Sequence, residues 1–117
     1  VAAPLEQLVA GTDMVVWLTS PPIDRSLDPS APPGSDPASD PARMSRWNEL
    51  VEEVAAEFPP AEVAVVDLRG WFEQLPGGPL DQEVRPDGVH VGDRSAPEVG
   101  RWVADQVLRA WEDAPRP

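Results

Sequence analysis

Two short, continuous apolar runs constrain the fold of this chain more than any other feature. They are residues 14–19 (MVVWLT) and residues 63–68 (VAVVDL). Their length and β-branched content are typical of strands that are buried on both faces. Helical patterns lie before, between and after them, and this order predicts a parallel sheet in an α/β layer architecture. Because two parallel strands do not form a stable sheet alone, we expect the N-terminal strands of the sheet to lie outside this chain.

Four segments carry helical signals. Residues 3–10 predict a short helix with a proline in its first turn, ending at Gly11. Asp40 is a good N-cap for an amphipathic helix that runs to about residue 58, where two prolines end it. A short helical turn begins at residues 71–72, and residues 95–98 (SAPE) have the spacing of a capping box. The last helix has an apolar stripe of Val99, Trp102, Val103, Val107, Ala110 and Trp111.

A segment rich in proline, serine and aspartate separates the first strand from the second helix. Residues 24–40 (DRSLDPSAPPGSDPASD) contain almost no large apolar side chains. We therefore expect a long mobile loop inside a single partial domain that spans residues 1–117. A disordered or variable insertion is favoured over a substrate lid.

Charge and cysteine content exclude several classes of function. The formal net charge is −12, and the sequence has no cysteine. An acidic surface repels phosphates, so neither nucleic acid nor anionic lipid is an expected partner. A disulfide framework and a thiolate metal site are excluded. No apolar run approaches the roughly 20 residues that span a bilayer, and no signal peptide is visible. Val1 does not resemble a translation start, so we expect the chain to be cut from a longer polypeptide.

The stretch Arg85-Pro86-Asp87-Gly88-Val89-His90 is the strongest candidate for chemistry. His90 is the only histidine, and histidine is the usual proton shuttle near neutral pH. Asp87 on the same turn can accept a hydrogen bond from one ring nitrogen, which leaves the other free to take a proton from a nucleophile. The alternatives are a structural histidine and a plain turn-forming aspartate. A metal site is disfavoured, because catalytic zinc usually takes three protein ligands.

Other polar residues are weaker candidates. Ser20 follows the first strand but lacks the glycine neighbours of a nucleophile turn, so we interpret it as a strand-end residue. Asp67 ends the second strand, where capping or solvent exposure is the favoured role. Arg85 is predicted to form a surface salt bridge rather than to orient a substrate. The five tryptophans lie at core spacings, and sugar stacking is disfavoured for Trp17, Trp47, Trp71, Trp102 and Trp111.

These residues together resemble a known family. Residues 15–22, the tripeptide at residues 46–48, residues 63–68 and the motif at residues 85–90, followed by a terminal helix, look like the C-terminal half of an SGNH (GDSL-type) hydrolase domain. The chain is most similar to the extracytoplasmic SGNH domains fused to membrane O-acyltransferases of actinobacteria. The resemblance implies a flavodoxin-like three-layer α/β/α fold with a parallel sheet. It also implies that His90 is the catalytic base and Asp87 its carboxylate partner.

The resemblance further implies part of a serine esterase or O-acyltransferase domain that acts on acyl esters, in particular those of cell-envelope glycans, without a metal or organic cofactor. The Gly-Asp-Ser turn and the oxyanion-hole positions of the family do not occur here. We therefore expect the remaining half of the domain upstream or on another chain, with a membrane acyltransferase domain as a further part of the parent. The 117 residues alone are expected to be inactive. The alternative is a non-catalytic SGNH-like interaction or structural module.

Overall fold

The computed structural model describes residues 2–31 and 36–115, and the side chains from residue 3 onward within those ranges. It has a mixed α/β architecture. The elements in chain order are α1 (Ala2–Gly11), β1 (Val15–Leu18), α2 (Pro41–Ala55), β2 (Val63–Val66), α3 (Leu68–Glu73) and α4 (Ala96–Asp113). The predicted α/β class and the order of helices and strands are confirmed.

The two strands pair in parallel, as predicted. Val15 lies opposite Val63, and Leu18 lies opposite Val66. Helices α2 and α4 both contact β2. In β2 the first and last valines are buried, whereas all four residues of β1 are only half-buried. The second strand is thus the better covered of the two.

A small apolar core surrounds β2. Its buried members are Leu5, Val51, Val63, Val66, Phe72 and Val99. The tryptophans pack at its margin: the ring centroids of Trp17 and Trp47 lie 6.2 Å apart, and those of Trp71 and Trp102 lie 5.9 Å apart. Trp47 and Trp111 are 41% and 37% exposed, so the prediction of core positions is wrong for these two. Helical spacing places them on the apolar side of their helices but cannot show how far the core extends.

Three element ends differ from the sequence prediction. Helix α2 ends at Ala55 rather than near residue 58, and its last turn tightens, with the Phe58 amide donating to the Ala55 carbonyl at 3.1 Å. Proline disfavours helical backbone in the residue before it, so Pro59 prevents the helix from extending through Phe58. Strand β2 stops at Val66 rather than at residue 68, and α3 begins at Leu68 rather than at residues 71–72. Both differences arise because the Asp67 carboxylate caps α3 and accepts from the Gly70 amide at 3.0 Å. The capping role of Asp67 is confirmed.

The predicted capping box at the start of α4 is wrong. The helix does begin at Ala96, but Ser95 has helical backbone angles and its side chain makes no cap hydrogen bond. An N-cap side chain reaches the first-turn amides from an extended backbone, which Ser95 does not have. Instead the Ser95 carbonyl accepts from the amides of Glu98 and Val99, each at 3.1 Å.

The segment at residues 24–40 folds into capped turns where it is described. Two single-turn 3₁₀ helices, Arg25–Leu27 and Pro37–Ser39, are each capped by the preceding aspartate. The Arg25 amide donates to the Ser39 hydroxyl at 3.1 Å, which brings the two ends of the segment together. Residues 32–35 of this segment lie outside the described residues. Within the described ranges, no helix has the length and apolar character needed to cross a bilayer.

Candidate functional site

Asp87 and His90 are in direct contact. The Nδ1 atom of His90 lies 2.6 Å from Oδ2 of Asp87, which is the predicted contact. The other carboxylate oxygen accepts from the amides of His90 at 2.7 Å and Val89 at 2.9 Å. The imidazole hydrogen bond, followed by these two amide bonds, holds the pKa of the Asp87 carboxyl far below its usual range. Asp87 is therefore a carboxylate at neutral pH, and it selects the imidazole tautomer with the proton on Nδ1.

The His90 ring faces solvent. Its side chain is 82% exposed, against 33% for Asp87. Among the described residues, nothing hydrogen-bonds to Nε2, so this nitrogen is available to a proton donor. An imidazole oriented through one nitrogen and open at the other has the arrangement of a general base.

The backbone of Gly88 explains how the two side chains meet. Gly88 has φ of +73°, a conformation that glycine adopts at no steric cost. Its amide donates to the Arg85 carbonyl at 2.9 Å, which closes the turn. A Cβ at this position would overlap the carbonyl of Asp24, because the 24–40 segment lies directly against the turn. The Asp24 amide donates to the Gly88 carbonyl at 3.0 Å and joins the two segments.

The prediction of a surface salt bridge for Arg85 is wrong. Its side chain is 1% exposed and lies over the ring of Phe72, 5.2 Å from the centroid. The guanidinium donates to the carbonyls of Pro22 at 2.6 Å, Pro79 at 2.8 Å and Val89 at 3.0 Å. Burial lowers the pKa of this guanidinium, which has no ion pair with any acidic residue in the described part of the chain. Spacing in the sequence could not reveal that three carbonyl groups converge on this position.

The 24–40 segment forms one wall of the depression that holds His90. The depression has a volume of about 360 Å³ and is lined by Ile23, Arg25, Asp28, Ala38, Asp87, Val89 and His90. Arg25 is ion-paired to Asp36 at 3.0 Å. Ser30 holds the pKa of Asp28 below its usual value, while the charge of Asp87 acts in the opposite direction. The segment thus contributes both apolar and charged groups beside the candidate base, which its composition alone did not indicate.

Ser20 lies in a different depression, of about 110 Å³, beside Met44 and Arg69. Its backbone amide and carbonyl bond to the side-chain amide of the buried Asn48, both at 2.8 Å. These bonds agree with the interpretation of Ser20 as a strand-end residue. Among the described residues, no serine lines the depression that contains His90.

Sequence reasoning missed the buried Thr19. Its hydroxyl donates to Asp67 at 2.9 Å and accepts from the Arg69 amide at 3.0 Å, which joins the end of β1 to the start of α3. A polar residue at the end of an apolar run was the one available signal. No cluster of three or more histidine, aspartate or glutamate side chains suited to a metal ion occurs in residues 2–31 and 36–115.

No family model, curated protein or solved structure matches this chain. The likeness to SGNH hydrolases therefore rests on the motif residues alone.

Proposed function

We propose that this chain is the C-terminal part of an SGNH-type esterase or O-acyltransferase domain, in which Asp87 and His90 are the acid/base half of a Ser-His-Asp triad. The contact between His90 Nδ1 and Asp87 Oδ2 at 2.6 Å, with the ring open to solvent, carries the proposal. In this reaction the serine oxygen attacks an ester carbonyl and its proton passes to Nε2 of His90. The imidazolium then gives that proton to the leaving alkoxide, while Asp87 stabilises the charged ring.

The serine and the oxyanion hole would come from residues outside these 117. Two features of β1 support this reading: among the described residues it pairs only with β2, so its other edge is open to a further strand, and its apolar side chains are only half-buried. Added strands would extend the α/β arrangement to the three-layer form of the SGNH fold. Water would accept the acyl group in an esterase, and a sugar hydroxyl would accept it in a transferase.

The depression beside His90 favours a neutral acyl ester over a polyanionic substrate. Asp28 and Asp87 both line it, and Arg25, the one arginine among the described residues of its lining, is already paired with an acidic side chain. A glycan ester of the cell envelope fits these conditions. An extracytoplasmic location and a fused membrane acyltransferase domain belong to the same proposal.

The test is ester hydrolysis by the full-length protein, followed with p-nitrophenyl acetate. His90→Ala and Asp87→Asn should each lower kcat by roughly 10⁴-fold or more, because either change disables the base. Arg94→Ala alters an exposed residue four positions from His90 and should leave the rate unchanged. Wild-type activity in His90→Ala would refute the proposal.

A second measurement separates the enzyme from a non-catalytic module. A serine-reactive phosphonate should label the full-length protein at a residue outside positions 1–117 and should not label this chain alone. Absence of both hydrolysis and labelling in the full-length protein would favour an interaction or structural module.

A further inference from the structure

The side chain of Arg85 is buried, and its guanidinium forms no ion pair with any acidic side chain that the structure describes. Isolated charges are costly to bury, and the hydrogen bonds that offset this cost here all go to backbone carbonyls, with the Phe72 ring beside the guanidinium. A residue that only filled this space would be less costly if it were apolar. We therefore expect the guanidinium to hold particular backbone groups in place.

Two of the guanidinium nitrogens converge on one carbonyl. Nε and Nη2 of Arg85 donate to the Val89 oxygen at 3.3 and 3.0 Å. That oxygen belongs to the peptide group between Val89 and His90, whose N–H donates to Asp87 at 2.7 Å. A peptide group is planar, so a bond at its oxygen and a bond at its nitrogen fix one common orientation. Arg85 thus acts on the same rigid unit that carries His90 and binds Asp87.

The remaining nitrogen, Nη1, ties this unit to two other segments. It donates to the Pro22 carbonyl at 2.6 Å and to the Pro79 carbonyl at 2.8 Å. Pro22 immediately precedes Ile23, which lines the depression beside His90. One side chain therefore connects the candidate base, its carboxylate partner and the segment that faces them.

We propose that Arg85 is a positioning residue that sets the geometry of the Asp87–His90 pair through the Val89–His90 peptide group. The importance of this role for a reaction rests on the proposed function, but the geometry itself can be tested without any activity. The planar guanidinium is required because a lysine ammonium cannot present a two-nitrogen fork to Val89 and reach the other two carbonyls at once.

The experiment is NMR of this chain with labelled histidine, which gives a single imidazole because His90 is the only histidine. Wild type should show a low-field Nδ1–H proton, bonded to Asp87, and Asp87→Asn should lose this signal. Arg85→Lys and Arg85→Met should lose it as well while circular dichroism shows that they remain folded. Asn48→Ala, which removes a buried side chain that bonds elsewhere, should keep the signal.

Retention of the Nδ1–H signal in a folded Arg85→Lys or Arg85→Met variant would overturn the proposal, and so would its loss in folded Asn48→Ala. If neither Arg85 variant folds, the proposal is tested on the wild-type protein instead. The Nε–H of Arg85 should then exchange slowly with solvent and show a nuclear Overhauser effect to the His90 amide proton. Absence of that effect would overturn the proposal. An inactive full-length protein with the expected spectra would instead count against the esterase assignment alone.

Discussion

Gly88→Ala is the substitution for which the structure gives the sharpest expectation. Gly88 has φ of +73°, and a Cβ there would meet the Asp24 carbonyl and lie 3.1 Å from a methyl carbon of Leu27. Gly78 has nearly the same backbone angle, φ of +75°, but a Cβ there would meet no atom within 4 Å. The two glycines therefore form a matched pair that separates backbone strain from close approach.

The expected loss of stability follows from two contributions. Left-handed backbone costs a residue with a Cβ roughly 1–2 kcal/mol, and this applies to both positions. At Gly88 the chain must also move apart, which breaks the bond from the Asp24 amide to the Gly88 carbonyl and adds about 1–3 kcal/mol. Gly88→Ala should therefore lower the free energy of unfolding by about 3 kcal/mol, against about 1 kcal/mol for Gly78→Ala.

Urea unfolding followed by tryptophan fluorescence measures both losses from the shift in midpoint at constant slope. In thermal unfolding the same values correspond to a fall in Tm of roughly 12 °C for Gly88→Ala and roughly 4 °C for Gly78→Ala. Equal losses for the two variants would refute the close packing of the 24–40 segment against the turn.

Two further outcomes test the buried amide and the carboxylate. Asn48→Ala should lower the free energy of unfolding by about 2–3 kcal/mol, because the backbone amide and carbonyl of Ser20 both lose their hydrogen-bond partner. The control is Glu49→Ala, which removes an exposed side chain at the next position and should lower the free energy of unfolding by less than about 0.5 kcal/mol. Urea unfolding measures both changes. Equal losses would show that the buried contact does not form. The lowered pKa of Asp87 means that its ionised form stabilises the fold above its unfolded pKa of about 4, and this contribution is lost as the pH falls below that value toward the folded pKa. The stability difference between wild type and Asp87→Asn should therefore narrow between about pH 5 and pH 2, and a constant difference would contradict the assignment.

Much of the fold follows from local signals in the sequence. Apolar runs of four or more residues predicted both strands, and Asp40 predicted the start of α2 where the structure has it. The wrong predictions occur where the same local sequence pattern is compatible with two different structures. Ser95 has the spacing of a capping box, yet its backbone angles prevent the side chain from capping. Trp47 lies on the apolar face of α2, yet it is 41% exposed.

In the candidate site, too, some features could be predicted from the sequence and others could not. Asp87 and His90 are three residues apart, so their contact depends on a turn that the sequence between them specifies, and the motif alone predicted it. The role of Arg85 depends on carbonyls from Pro22 and Pro79, which approach it only after the chain has folded. The position of Arg25 beside His90 likewise arises from packing of a polar segment without apolar periodicity.

The sequence by itself determined the parallel strand pair, the helices around it and the turn that joins Asp87 to His90, because each depends on residues close together along the chain. Only the tertiary structure decided that Arg85 is buried and that the 24–40 segment faces the imidazole. These features depend on hydrogen bonds between groups as far apart as Pro22 and Arg85, and no local pattern records such partners.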